Sequence, residues 1–345
     1  MAVNKGISIT IAAMLGGCSP YLYAPEITTL YGGVSSLRSS QQSIESSLVA
    51  ARDQAMTDGA RPYGKAFIIP AECVSTGVSC VAVPRPDRPP SGPSADDRAA
   101  TMLKAADPGV GAPPVLSVPV LRGCPAPPTL RAAAPRPDVS LDAMLSALEA
   151  YSKALAAVTN ANDRAEFDTA STALAASSAA LAGLMIGGPP GAGGAAVATL
   201  VIELARYGVA VSLDARRYRT LRCAVLHSQD TVGVLGIIAG AMLADRVVAL
   251  RAAYVDDSNT ITRNMSLPNP AGKWEDNVAR QQSLATRIAA LGAIDPVAAA
   301  KAMASANDAL AKAFEDESRQ TGAVATVVAE FASKAASIQR AATAR

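Results

Sequence analysis

The chain has 345 residues, with 31 Lys or Arg against 29 Asp or Glu and a formal charge of +2 at pH 7. Half of it is apolar but only 4% is aromatic. Alanine supplies much of the apolar share, which favours close-packed helices over strands, since strands want β-branched and aromatic side chains. The near balance of charge gives no clustered basic face of the kind nucleic-acid binding needs.

Residues 1–17, MAVNKGISITIAAMLGG, carry one positive charge (Lys5) and then an apolar run of about a dozen residues. That arrangement reads as a secretory signal, and the run is too short to span a bilayer. It ends in Leu15-Gly16-Gly17-Cys18. Leu, two small residues and Cys in this order resemble the lipobox of bacterial lipoproteins. The resemblance implies cleavage before Cys18, diacylglycerol on its thiol and an acyl chain such as palmitate on the new amine. Two or more chains hold a protein stably at a membrane. Ser19 follows the cysteine where an Asp would imply inner-membrane retention, so the implied location is the outer membrane, facing the periplasm. The covalent lipid at Cys18 is the only cofactor expected.

Residues 18–58 follow as an N-terminal helix after the anchor. From Pro25 to about Ala55, Ile27, Leu30, Val34, Leu37, Gln41, Ile44, Leu48, Ala51 and Ala55 are spaced by three and four throughout, the seam of a coiled coil or bundle helix. Gly32-Gly33 weakens the pattern early, so the firm part begins near Val34. Residues 59–137 change character: 16 of the 23 prolines lie between Pro62 and Pro137. Proline removes a donor and blocks helix interiors, so this segment reads as irregular, partly polyproline chain, with one to three helical turns at Ser94 to Ala106. An exposed polyproline surface binds with little entropy to lose, which makes this segment the candidate contact for an envelope protein partner.

Residues 138–257 read as central helices. Asp138 or Ser140 caps a helix striped by Leu141, Leu145, Leu148, Ser152, Leu155 and Val158, with a pause at residues 159–163. An apolar hairpin spans residues 171–213 around GGPPGAGG. After the basic knot DARRYRTLRC comes a second apolar stretch, residues 231–244, bounded by Asp230 and Asp245. Residues 256–273 read as a polar break. Residues 258–345 hold the C-terminal helices. One of these starts at Asp295-Pro296, a cap followed by proline in the first turn. If Asn307, Glu317 and Thr321 fill the gaps, its stripe continues to Ile338 as a single helix of about 45 residues, roughly 68 Å long. The expected architecture is all-α: an elongated helical bundle with long heptad-patterned helices and a Pro-rich excursion.

Four cysteines remain after Cys18: Cys73, Cys80, Cys124 and Cys223. An even number in an exported chain points to two disulfides with three connectivities. The preferred pairing is Cys73–Cys80 and Cys124–Cys223, because the first two are close in one irregular segment; four reduced thiols are the alternative. No CxxC occurs, and Cys223 with His227, four residues on, supplies two ligands at most, so no metal is expected.

Chemistry is sparse. GPPGAGGA, residues 188–195, superficially resembles the phosphate loop of P-loop NTPases. Gly194 and Ala195 stand where that loop needs Lys and Ser or Thr, so its chemistry is lost. Gly236 and Gly240 form a GxxxG spacing in a run too short to cross a membrane, which reads as close packing in a core. Arg216, Arg217, Arg219 and Arg222 read as a solvated or ion-paired face. With one histidine and no GxSxG elbow, the chain is not expected to be an enzyme. The expected role is that of a membrane-anchored scaffold or interaction protein of the cell envelope, compatible with homo-oligomers. The alternative is a membrane-active protein that inserts the 171–213 hairpin, an arrangement similar to α-helical pore-forming toxins. Glu203 and Arg206 inside the second arm argue against permanent insertion.

Overall fold

A computed structural model of the chain describes residues 23–60, 124, 139–185, 212–266, 274–316 and 321–344. These residues form seven helices and no strand: α1 (Ala24–Ala60), α2 (Leu141–Asn160), α3 (Arg164–Met185), α4 (Leu213–Met265), α5 (Trp274–Gly292), α6 (Pro296–Glu315) and α7 (Thr321–Thr343). The fold is all-α, as the composition requires. The signal and Cys18, most of the Pro-rich segment with Cys73 and Cys80, and the second arm of the apolar hairpin lie outside the described residues.

Local chemistry sets the helix ends. Ser140 caps α2, its hydroxyl accepting from the Ala143 N–H at 3.1 Å. The pause at residues 161–163 is a reciprocal cap: Asp163 accepts from the Glu166 N–H at 2.8 Å, and Glu166 accepts from the Asn162 N–H at 2.6 Å. Ser212 caps α4. Asp295 accepts from the Ala298 N–H at 2.9 Å, with Pro296 in the first turn of α6.

Side-chain contacts give the helix directions. Tyr23 at the start of α1 and Tyr218 near the start of α4 both meet Phe314 near the end of α6, with ring centroids 5.0 and 5.7 Å apart. Those three ends therefore lie together. Farther along, Gly33 abuts Phe331 and the Ser43 hydroxyl donates to the Ala342 carbonyl, so α1 and α7 run parallel. Gly236 abuts Met303 and Gly240 abuts Ala300, so α6 runs antiparallel to α4. Farther out on α4, Asp257 meets Arg280 and Tyr254 meets Arg287, so α5 is antiparallel to it as well. Helices α5 and α6 thus follow α4 in succession, jointed at residues 293–295.

The core is one cluster drawn from every helix. In α1 the buried positions include Ile27, Leu30, Val34, Leu37, Gln41, Ile44 and Leu48. The helix runs unbroken through Gly32-Gly33. Gly33 is required there, because a Cβ would lie 2.5 Å from the Phe331 ring. Gln41 is 1% exposed, and neither end of its amide has a hydrogen-bond partner. That is a desolvation cost of about 1–3 kcal/mol carried in the middle of the seam.

Two expectations are corrected. The basic knot, the apolar stretch of residues 231–244 and the first ten residues of the supposed polar break form one 53-residue helix, α4. Hydrogen bonds from Thr260 to the Asp256 carbonyl and from Thr262 to the Ser258 carbonyl show that polar side chains there follow the helix rather than end it. The supposed 45-residue helix is two. Helix α6 ends at Glu315, capped by Asp316, and α7 starts again at Thr321 and packs back against it. No apolar residue holds the stripe between Phe314 and Ala323, so nothing would bury a straight continuation. In α2, Ser152 is buried at the stripe position the sequence gives it, and Tyr151 beside it is wholly buried as well.

Candidate functional site

The sequence-marked residues that the structure describes converge on the first half of α4. Cys223 faces the bundle, wholly buried, and is joined to Cys124 by a disulfide with Cα atoms 5.7 Å apart. The bond ties α4 to a residue 99 positions earlier. It is one of the two pairs expected from the cysteine count. Cys73 and Cys80, the other pair, lie outside the described residues.

One turn on, the His227 Nδ1–H donates to the Cys223 carbonyl at 2.6 Å. A carbonyl can only accept, so that nitrogen carries the hydrogen. The Nε2 atom is buried with no hydrogen-bond partner. Histidine and cysteine are therefore neighbours, but the Cys223 sulfur is already bonded and the ring is held by backbone rather than by a carboxylate. Among the described residues no group of three or more His, Cys, Asp or Glu side chains is placed to hold a metal ion.

The same face carries a polar contact that the sequence reading missed. The Tyr151 hydroxyl bonds to the Ser228 hydroxyl, which donates to the Ala224 carbonyl at 2.6 Å. Burial pushes the Tyr151 phenol far above its ordinary value, against the opposing Ser228 hydrogen bond, so it stays a neutral donor. The signal was available: Tyr151 lies three residues after Leu148 and four before Leu155, on the buried stripe itself.

The basic knot divides. Arg217 is 3% exposed and pairs with Asp214 at 3.2 Å. Arg216 is also buried, its guanidinium 5.6 Å from the centroid of the Phe167 ring. Arg219 is exposed and Arg222 half-buried. Two of the four arginines thus belong to the interior: Arg217 is ion-paired, as one half of the expectation has it, but neither Arg216 nor Arg217 lies on a solvated face.

Across α4 and α6, Gln229 donates to Asp308 at 2.6 Å and the Asn307 amide donates to the Gln229 carbonyl at 3.3 Å; within α6, Lys312 pairs with Asp308 at 2.8 Å. Burial, and next the nearby Asp308 carboxylate, push Asp230 above the usual carboxylate value. Just beyond, Gly236 and Gly240 let the two helices close on each other: a Cβ on either would lie 2.2 Å from an α6 side-chain atom. The GxxxG spacing is a helix contact inside this fold. By length and composition α4 carries an apolar stretch able to cross a membrane, and half of that stretch is buried in the bundle. Core helices of soluble proteins share that property.

Taken together, these groups fasten α4 to its surroundings by a covalent bond, a buried phenol, stacked and paired arginines and a glycine contact. No family model matches the sequence, and neither a curated protein nor a solved structure matches the chain.

Proposed function

We propose that this chain is a lipid-anchored protein of the bacterial envelope. It is acylated on Cys18, held at the outer membrane facing the periplasm, and serves as a scaffold or spacer for other envelope components. The observation that carries the reading is Leu15-Gly16-Gly17-Cys18, which ends only a few residues before the first helix. The Cys124–Cys223 disulfide supports an exported location, since such bonds persist in oxidising compartments. The spacer role is supported by α4: 53 residues at 1.5 Å rise make a helix of roughly 80 Å. It starts beside Tyr23, near the anchored end, and runs away from it. The Pro-rich segment is the surface assigned to a protein partner.

Intact mass and membrane fractionation of wild type beside Cys18→Ala test this. Wild type should lose residues 1–17, gain acyl mass and sediment with outer membrane, while Cys18→Ala stays unacylated and leaves that fraction. Two uncut, soluble proteins of identical behaviour would end the proposal.

A further inference from the structure

Glu26 lies in the first turn of α1, three residues after Tyr23. It is 7% exposed. Its own backbone N–H donates to the carboxylate, while Oε2 is buried with no hydrogen-bond partner. The charged and titratable groups on the facing turns are Tyr218, Arg219 and Arg222 of α4 and Lys312, Glu315 and Asp316 of α6, near the Phe314 contact. The last two turns of α2, from Ala154 to Asn160, carry no titratable side chain, and the first described charge on α7 is Glu330, two turns beyond Val324. None of the cations pairs with Glu26. A buried carboxylate without a partner is unstable as an anion and settled as an acid. Burial accordingly pushes the Glu26 carboxyl up, opposed only in part by its own backbone N–H.

We propose that Glu26 makes the first turns of α1 a pH-dependent latch on the bundle. As the neutral acid it stays packed in the seam. As the carboxylate it gives its proton to water and draws Tyr23 to Leu30 outward with it. For a carboxyl whose folded value is raised, the stabilising contribution is complete at low pH and is lost as pH rises through that raised value. The latch therefore closes on acidification and loosens toward neutrality. It sits at the end of the bundle nearest Cys18, but it rests on the geometry of α1 and does not depend on acylation.

Amide hydrogen exchange on the full chain at about pH 5 and about pH 7.5, corrected for intrinsic rates, tests it. In wild type the amides from Ile27 to Leu30 should be measurably more protected at the lower pH, with those of α5 serving as an internal reference. Glu26→Gln and Glu26→Leu should hold the higher protection at both. Circular dichroism checks that each variant folds, and the leucine variant carries the test if the glutamine one does not. Equal protection of wild type at both pH values, or variants that keep the pH dependence, would overturn the proposal.

Discussion

From Leu213 to about Val247, α4 meets its neighbours largely through small or wholly buried groups, among them Gly236, Gly240, Ala224, Cys223 and Leu235, with polar contacts from Arg216, Ser228 and Gln229 in its first turns. From Val248 to Met265 the same helix meets α5 through long side chains. Arg280 reaches Asp257 at 2.6 Å, Gln281 reaches Thr262 at 2.7 Å, and Arg287 lies 5.7 Å from the Tyr254 ring centroid. Three of the four large apolar side chains that are exposed among the described residues, Val248, Val255 and Trp274, also belong to this outer pair of helices. One continuous helix thus has a closely packed, mostly buried interface at one end and one bridged by long polar side chains at the other. A change of side-chain size should be felt in the first, a change of charge in the second.

The largest effect should come from breaking the inner half covalently. Cys223→Ala opens a loop of 99 positions, for which loop-closure entropy gives about 4.7 kcal/mol. Denaturant unfolding of the variant beside reduced wild type should show the same fall, and a loss below about 1 kcal/mol would remove the bond from the stability account. Next comes Gly240→Leu. Its Cβ would lie 2.2 Å from the Ala300 Cβ and 3.1 Å from the Pro296 carbonyl oxygen, which cannot step aside. Overpacking should cost about 3 kcal/mol. Gly233→Ala, on the same helix but with nothing within 4 Å of its Cβ, should instead stabilise by up to about 1 kcal/mol. Thermal melts that moved both variants the same way would contradict the close-packed interface. Smallest is Asp257→Asn in the outer half, worth under about 1 kcal/mol and shrinking as salt is added. A salt-independent loss there would mean that the outer interface also depends on packing.

How much of this was legible in the sequence follows the range of the interactions involved. Caps are local, so Ser140, the pause before Arg164 and Asp295-Pro296 could be read from a few residues each. Apolar spacing is local too, and Ile27 through Leu48 occupy the buried side of α1 at the steps their order implies. Continuity of α4 was not legible. Four arginines and two boundary aspartates look like interruptions until Phe167 and Asp214 are brought alongside Arg216 and Arg217. The break between α6 and α7 was hidden by polar residues at stripe positions, where Asn307 is buried in the core but Thr321 begins a new helix. Gln41 shows the limit from the other side: its seam position was readable, whereas the lack of a partner for its amide depends on what the helices packed against α1 place around it.

The bond between Cys124 and Cys223 also makes α2, α3 and the start of α4 members of one covalent ring. Cutting any single peptide bond between residues 125 and 222 would open that ring without releasing either piece. The two fragments would migrate together on a denaturing gel and separate only when the sulfurs were reduced. Cleavage inside this span would therefore leave the mass of the chain essentially unchanged while removing its continuity.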